Sequence, residues 1–216
     1  MPLICLSFPE ITEIIEDLIA MTGKVKTRCP WPGSPLMIKY HDTEWGTPLH
    51  DDRKLFEFLI LDGMQAGLTW ASILQRRENY RAALDNFDAV KIARYDKRRM
   101  EKLLINEGII RNRKKIESIV TNARAFLKVK KEFGTFDRYI WSFVGGKPII
   151  NRFETIKGIP AITEESIAMS KDLKKRGFSF VGPTICYAFM QAAGMVNDHV
   201  VDCFRHKEVQ KRKRRG

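Results

Sequence analysis

The spacing of apolar residues is the feature of this sequence that most constrains its fold. Leucine, isoleucine and phenylalanine recur every three or four positions along several stretches, the longest being RNRKKIESIVTNARAFLKVKKEF at residues 111–133. This interval matches the turn of an α-helix, and the alternation of a half-buried strand is almost absent. Other helices are predicted behind Asp51 or Asp52 and behind Thr163, which can cap helix N-termini. The sequence therefore predicts an all-α fold, with residues 145–160 as an irregular connection.

Three segments are predicted along the chain. At 216 residues it is long enough to bury a substantial core. Residues 1–27 are predicted to form an N-terminal extension, with a short helix at residues 10–21 and the linker TGKVKT after it. Residues 28–205 are predicted to form the main domain, and residues 206–216 a basic tail.

The sequence does not predict a membrane protein or a secreted one. No run approaches the roughly 20 apolar residues needed to cross a bilayer. The first 21 residues are apolar in patches, but they lack a basic leader and carry four acidic residues, so we do not expect a signal peptide. We expect a cytoplasmic protein that acts as a monomer.

The chain carries a net charge of +12, and residues 205–216 contribute half of it. Both the tail and the main domain are therefore basic. The positive electrostatic field of such a protein favours a polyanionic partner. Nucleic acid is favoured over a membrane because no strongly basic amphipathic helix stands out. The alternative is a basic protein whose tail contacts nothing.

Cysteine and histidine occur as two pairs near opposite ends of the main domain. Cys29 precedes His41, and His199 precedes Cys203 in the stretch NDHVVDC. The chain's four cysteines could form two disulfides, but a cytosolic protein of this size does not need them. Two cysteines and two histidines can fill the tetrahedral coordination of zinc and leave no position for water, which predicts a structural site. The alternative is buried thiols beside hydrogen-bonded histidines.

Aromatic residues surround the first of these pairs and recur later. Trp31, Tyr40 and Trp45 lie close to it, and Trp70 ends the stretch LDGMQAGLTW, in which Asp62 supplies a carboxylate. Such residues usually pack in a core. With a carboxylate and the flexible glycines of the same stretch, they could instead form a pocket for a planar, electron-poor heterocycle.

The stretch LKKRGFSFVGPTICYAFMQAAG has the pattern of a helix-hairpin-helix at about residues 174–190. A helix with a basic end is followed by a hairpin containing Gly177 and Gly182, and an apolar helix begins near Pro183 and Thr184. Backbone amides at such a hairpin can bind a DNA phosphate without reading the sequence. The alternative is an ordinary helical hairpin.

Several longer motifs, in order, resemble those of the bacterial 3-methyladenine DNA glycosylase I family over residues 28–204. They are YHDTEWG, LDGMQAGLTW, RENYR, GIIRNRKKIESIVTNARA, WSFV, LKKRGFSFVGPTICYAFMQAAGMVNDHVV and Cys203. The resemblance implies the all-α fold of helix-hairpin-helix DNA glycosylases. It also implies one structural zinc per chain, joining the N- and C-terminal segments, and excision of 3-methyladenine from double-stranded DNA that contains alkylated bases.

The resemblance assigns roles to residues of this chain. The zinc ligands fall on Cys29, His41, His199 and Cys203. The family's base pocket falls on Trp31, Tyr40, Asp62 and Trp70, to which we add Gln65, and we assign catalysis to Asp62, Tyr40 and Trp70. We predict DNA contacts at Gly67, Leu68, Lys175, Gly177, Phe178, Gly182 and Thr184.

Two pocket positions depart from the family pattern. Asp62 stands where the family has a glutamate, which keeps the charge on a shorter side chain, and Met37 replaces an aromatic residue. We expect Asp62 to contact the base directly or through water, and the pocket to pack differently around Met37.

The expected chemistry follows from the substrate. A 3-methylated adenine in DNA is positively charged and leaves readily, so stacking, one carboxylate and attack by water can suffice once the nucleotide has been flipped out of the duplex. No lysine follows the hairpin at the position that bifunctional relatives use, so we expect no lyase step. Asp198 and Asp202 lie near the catalytic aspartate of related glycosylases, but we expect Asp198 to order the metal-binding loop or cap a helix.

Two other functions fit part of the pattern. A non-catalytic protein could bind alkylated or distorted DNA with the same surface, but it would not need Asp62. A zinc hydrolase or deaminase would need an open metal position, which four protein ligands do not leave.

We predict DNA binding that is largely independent of sequence and weakens steeply with salt, because released counterions accompany each phosphate contact. Removing basic residues of the 206–216 tail should lower both the affinity and the slope of log affinity against log salt. Fluorescence anisotropy over a salt series measures both. An unchanged slope would mean that the tail does not contact DNA.

Overall fold

The computed structural model describes residues 26–211, and helices dominate this range. The first half contains six α-helices: α1 (Pro35–Thr43), α2 (Asp52–Gln65), α3 (Trp70–Gln75), α4 (Arg77–Ala83), α5 (Ala89–Ile92) and α6 (Lys97–Leu104). The second half contains five: α7 (Arg113–Phe133), α8 (Phe136–Trp141), α9 (Glu164–Lys175), α10 (Pro183–Ala192) and α11 (Phe204–Lys211). Short 3₁₀ turns lie at Asp85–Phe87, Ser142–Val144 and Ile156–Gly158. The predicted all-α class is confirmed.

Capping side chains fix where the main helices begin. Asp51 accepts a hydrogen bond from the backbone N–H of Lys54 at the start of α2, at 2.9 Å. Thr163 and Ser166 form a reciprocal capping box at the start of α9. Each cap satisfies N–H groups that have no partner within the helix. The predicted starts behind Asp51 and Thr163 are confirmed.

The long helix α7 lies at the centre of the core. Its buried face includes Ile116, Ile119, Ala123 and Phe126, and α7 packs against α2, α5, α6 and α8. The ring of Phe126 lies with its centroid 4.7 Å from that of Phe56 in α2. These contacts place α2, which carries Asp62, directly against the longest element of the fold.

A short parallel pairing joins the predicted irregular connection to the segment before His199. Strand β1 (Ile149–Ile150) pairs with β2 (Val196–Asn197), with Ile149 opposite Val196. The prediction of irregular structure was wrong at these two residues. A two-residue strand is too short to produce an alternating sequence pattern, so only its distant partner reveals it.

The two ends of the described range meet. The backbone N–H of Phe204 donates to the carbonyl of Thr27 at 3.0 Å, and the Lys26 ammonium lies 4.7 Å from the centre of the Phe204 ring. The predicted helix at residues 10–21 lies outside the described residues. The predicted tail differs from the structure at its start, because residues up to Lys211 belong to α11 and bury His206 and Val209. A truncation after residue 211 therefore removes basic charge and leaves the described part of this helix intact.

Within the described residues, none of the helices combines the length and the hydrophobicity that crossing a bilayer requires.

A close backbone contact locks α10 to the segment before α2. Gly194 follows α10 with φ +65°, and a Cβ atom there would lie 2.3 Å from the carbonyl carbon of Thr47. We predict that Gly194→Ala lowers the free energy of unfolding by about 1–2 kcal/mol for the left-handed backbone and by about 1–3 kcal/mol more for the overlap. Gly145→Ala, at the same φ with open space around it, is the matched control. Denaturant unfolding that finds equal losses would contradict the contact.

Candidate functional site

The four predicted metal ligands come together in one buried cluster. The ligand atoms of Cys29, His41, His199 and Cys203 all lie within 4.8 Å of one another, and all four residues are buried. The Cys203 Sγ lies 3.5 Å from His41 Nε2 and 3.6 Å from His199 Nδ1, and the Cys29 Sγ lies 3.6 Å from the same Nδ1. Residues separated by more than 150 positions therefore form a single donor set.

Hydrogen bonds at the outer nitrogens orient both imidazole rings. The His41 Nδ1 lies 2.7 Å from the Asp42 carboxylate, which also accepts a bidentate interaction from Arg28. The His199 Nε2 lies 3.1 Å from the carbonyl of Trp45. Because a carbonyl or carboxylate oxygen only accepts, the outer nitrogens carry the protons, and the lone pairs of the inner nitrogens face the sulfur atoms.

The donor set fits a soft or borderline divalent metal ion. Burial lowers the pKa of His199, which favours the neutral ring that a ligand requires. The neighbouring thiol group of the other cysteine lowers the pKa of Cys203 and raises that of Cys29. A cation bound between them would hold both as thiolates. The cluster can therefore hold a metal ion with four protein ligands.

A cavity of about 400 Å³ lies beside this cluster. It gathers all five predicted base-binding residues together with Met37: Trp31, Tyr40, Asp62, Gln65 and Trp70. Tyr40 lies on α1, Asp62 and Gln65 lie on α2, and Trp70 begins α3. The structure thus brings into one pocket residues that the sequence spreads over 40 positions.

Aromatic rings connect the pocket to the metal cluster. The Tyr40 and Trp70 rings lie 5.4 Å apart, centre to centre, at an angle of 48°. Trp31 contacts His41 edge-on at 5.2 Å and Trp45 at 5.1 Å. Because Trp31 and Trp45 pack against the histidines of the cluster, the positions of these pocket walls depend on the cluster.

Asp62 is the main electrostatic feature of the pocket. Its side chain is buried, with the residue 2% exposed, and its Oδ2 atom has no hydrogen-bond partner within the described chain. Burial raises the pKa of this carboxyl well above its usual range. The Trp70 Nε1 is also buried, and it has no partner among residues 26–211. Buried polar atoms normally have partners, so one carboxylate oxygen and one N–H are left for a ligand.

The sequence did not indicate several pocket residues. Ile156, Ile159, Pro160 and Ala161 line the cavity from the irregular connection, and Tyr187, Ala188 and Gln191 line it from α10. The residues of α10 occur in an ordinary helical pattern, and those of the connection carry no periodicity. Only their folded positions identify them.

The predicted DNA-contact residues occupy two surface segments. Gly67 adopts φ +74° in the turn between α2 and α3, where Leu68 is 42% exposed. Gly177, Lys175 and Thr184 are exposed around the hairpin between α9 and α10, and Thr184 also lines the cavity. The side chain of Phe178 is buried against Phe136, so a DNA contact at this position would come from its backbone. These assignments remain predictions.

Comparisons with known proteins show which family this chain resembles. The family model of methyladenine glycosylases matches residues 31–206. The DNA-3-methyladenine glycosylase 1 of Escherichia coli is 51% identical over 177 residues, which cover 82% of this chain and 95% of that protein. The Haemophilus influenzae DNA-3-methyladenine glycosylase is 50% identical, with 82% and 96% covered. The chain belongs to the 3-methyladenine DNA glycosylase I family.

Solved structures of the family share the fold. A crystal structure of 3-methyladenine DNA glycosylase I, 51% identical, has a TM-score of 0.81 and covers 82% of this chain and 98% of its own. The Staphylococcus aureus enzyme, described for its recognition of 3-methyladenine, is 36% identical with a TM-score of 0.78, and 80% and 92% are covered. A variant in complex with 3-methyladenine is 35% identical with a TM-score of 0.78, with the same coverage.

Asp198, near the position of a catalytic aspartate in related glycosylases, is held by three donors. Its Oδ2 accepts from Tyr187 Oη and Gln191 Nε2, and its Oδ1 accepts from Asn151 Nδ2, each at 2.7 Å. These bonds connect α10 and the 145–160 connection to the segment that carries His199 and Cys203. Asp202, by contrast, is exposed. The contacts of Asp198 agree with the expected ordering role.

We predict that Cys203→Ser reduces bound metal below one ion per chain and lowers Tm more than it lowers the rate of chemistry, because a closed metal site contributes folding energy. Cys186→Ser is the matched control, since Cys186 is equally buried but lies outside the cluster. Elemental analysis and thermal unfolding measure both effects. A Cys203→Ser protein that stays fully stable but loses all activity would reverse the assignment.

Proposed function

We propose that this protein is a DNA glycosylase of base excision repair that hydrolytically releases 3-methyladenine from alkylated double-stranded DNA. The observation that carries the proposal is the buried, unpartnered carboxylate of Asp62 in a pocket walled by aromatic rings. Membership of the family and the 3-methyladenine complex of a relative support the same substrate.

The pocket matches the electronic character of this base. A 3-methylated adenine in DNA is planar and cationic, so the faces of Tyr40 and Trp70 attract it. An ionised Asp62 attracts the same charge more strongly in a dry pocket than it would in water. Normal bases are neutral and gain less from both interactions, so the pocket discriminates by charge as well as by shape.

The residues then have the following roles in hydrolysis. Tyr40 and Trp70 stack on the flipped base and, with Trp31 and Gln65, exclude water from it. Asp62 accepts hydrogen bonds from the base edge and stabilises positive charge as the glycosidic bond breaks. Water attacks the sugar carbon, and the alkylated base leaves as a neutral molecule. The cationic base is already a good leaving group, so a strong general acid is not required, and no lyase step follows.

DNA is held by the two surface segments and by the basic field of the protein. Gly67 and Leu68 contact the duplex where the nucleotide leaves it. The hairpin with Gly177 and Gly182 offers backbone amides to a phosphate, and α10 begins behind Gly182 without a side-chain cap. Uncapped N–H groups at a helix start can bind a phosphate oxygen. Lys174 and Lys175 are exposed beside them.

We assign zinc to the cluster of Cys29, His41, His199 and Cys203. Two thiolates and two imidazoles are typical of structural zinc sites. Four protein ligands would leave no coordination position for a reacting water, so zinc bound there would not take part in catalysis. It would instead stabilise the folded chain. We also propose that the protein is a cytoplasmic monomer.

Base release from methylated DNA tests the function directly. The expected product is free 3-methyladenine, resolved by chromatography from 7-methylguanine, with the sugar–phosphate backbone left intact. A non-catalytic DNA-binding protein would bind the same DNA and release no base. That result would overturn the proposal.

We predict that Asp62→Asn lowers the single-turnover rate of base release by about 10- to 100-fold, the worth of a hydrogen bond to a charged group. DNA affinity and metal content should persist, because the amide has nearly the same shape. Tm at neutral pH should rise, because the folded chain no longer buries a carboxyl whose pKa is raised.

The pH dependence provides a second readout of Asp62. Because its pKa is raised, the ionised form increases as pH rises through that pKa, and kcat/KM should rise with it. Asp62→Asn should remove this limb, whereas Asp62→Glu, which keeps a carboxylate, should retain one. Wild-type rates and pH profiles in Asp62→Asn would exclude a role for Asp62 in the pocket.

A further inference from the structure

We infer that Lys115 and Asn122, two buried polar residues on α7, are positioning residues. They fix the relative positions of the two predicted DNA-contact segments. The segments are the 66–69 loop, which carries Gly67 and Leu68, and the 177–182 hairpin. The inference rests on the proposed function, because it explains how both segments act on one duplex.

Lys115 holds the base of the 66–69 loop. Its ammonium donates to the carbonyl oxygens of Met64 and Ala66, each at 2.7 Å. These carbonyls lie at the C-terminal end of α2, whose last turn contains no basic residue of its own. Carbonyls at a helix C-terminus lack partners within the helix and carry partial negative charge. A lysine from another helix therefore caps α2 at the point where the loop begins.

The position of Lys115 is unfavourable for its own helix. It lies in the first turn of α7, behind the cap Asn112, where the helix dipole disfavours a positive charge. The residue is 7% exposed, and burial lowers the pKa of its ammonium group. These costs are offset by its two bonds to the end of α2. The contacts with the end of α2 therefore explain why a lysine is buried at this position, whereas the stability of α7 does not.

Asn122 holds the hairpin in a similar way. Its Nδ2 donates to the carbonyl of Ser179 at 3.0 Å, and its Oδ1 accepts from the N–H of the same residue at 2.8 Å. The side-chain amide thus satisfies both backbone groups of one hairpin residue. Asn122 is only 2% exposed. The Ser170 hydroxyl adds a bond of 2.6 Å to the carbonyl of Val181.

The two contacts lie on one face of a rigid element. Lys115 and Asn122 are seven residues apart, which is close to two helical turns and spans about 10 Å along the axis. The hairpin also touches α2 beside the pocket carboxylate, since a Cβ on Gly63 would lie 3.4 Å from the Cβ of Phe180. The spacing between loop and hairpin is therefore set by α7, while α2 connects both to Asp62.

The two residues should affect different steps. In the proposed function, the hairpin binds the phosphate backbone of DNA of any sequence, so Asn122 should determine the affinity for duplex DNA. The loop lies next to the pocket, so Lys115 should govern how well the nucleotide is held outside the stack, and thereby the rate. A misplacement of about 1 Å can cost about 100-fold when groups must align for reaction.

The test compares Lys115→Met with Lys114→Met, which removes the same charge from an exposed neighbour. The readouts are single-turnover base release from duplex DNA at saturating enzyme, and binding of free 3-methyladenine followed by tryptophan fluorescence. Lys115→Met should slow release about 10- to 100-fold and leave free-base binding unchanged. Lys114→Met should leave the saturating rate unchanged.

Asn122→Ala is paired with Thr121→Ala, whose hydroxyl is exposed and bonds only within α7. Asn122→Ala should weaken duplex binding by about tenfold, near the worth of one hydrogen bond, at an unchanged saturating rate. Lys115→Gln, which keeps a donor for one carbonyl, should give an intermediate rate and serves if Lys115→Met does not fold.

Each outcome bears on the inference. Equal rates in Lys115→Met and Lys114→Met would overturn it for Lys115. Loss of free-base binding in parallel with release would overturn it too, because the change would then reflect general damage to the pocket. Equal affinities in the Asn122 pair would overturn it for Asn122. A wild-type protein that releases no base would instead overturn the proposed function, and the affinities of the Asn122 pair would still test the hairpin contact.

Discussion

The buried cluster of two cysteines and two histidines is the constraint on which the rest of the site depends. It joins a loop at the start of the described chain to a segment near its end, and its histidines are fixed by bonds to Asp42 and to the carbonyl of Trp45. Trp31 rests on His41, and Tyr40 is its neighbour in α1. Any movement of the cluster would therefore displace the rings that form the pocket walls.

Burial of the Asp62 carboxylate lowers the stability of the fold, and in the proposed function it makes the pocket selective for a cationic base. A carboxylate that is buried without a partner is costly, because a low-dielectric site disfavours its charge. In the proposed function, the carboxylate oxygen that has no partner within the described chain is free to interact with a cationic base, and a low-dielectric pocket strengthens that interaction. Asp62 supplies the carboxylate of the pocket on a short side chain, and the flexible side chain of Met37 lines the same cavity.

In the proposed function, the helical core connects the base pocket to the predicted DNA-contact segments. Helix α7 packs against α2, and α2 carries the pocket carboxylate and ends at the loop that would enter the duplex. Polar side chains on α7 contact the backbone of both predicted DNA-contact segments. Apolar packing thus makes the core rigid, and a few buried polar groups fix the positions of the pocket, the loop and the hairpin relative to one another.

The sequence by itself determined the helical class, the caps at Asp51 and Thr163, and the donor types of the metal cluster, because these follow from local spacing and side-chain chemistry. The motifs also indicated the family and the residues of the pocket. Only the tertiary structure placed Gln191 and several residues of the 156–161 segment at the cavity and paired β1 with β2. It also showed that α11 extends into the segment predicted as a tail. It also gave Lys115 and Asn122 their contacts. Such features depend on which distant segments meet, and a residue's own neighbours in the chain carry little information about that.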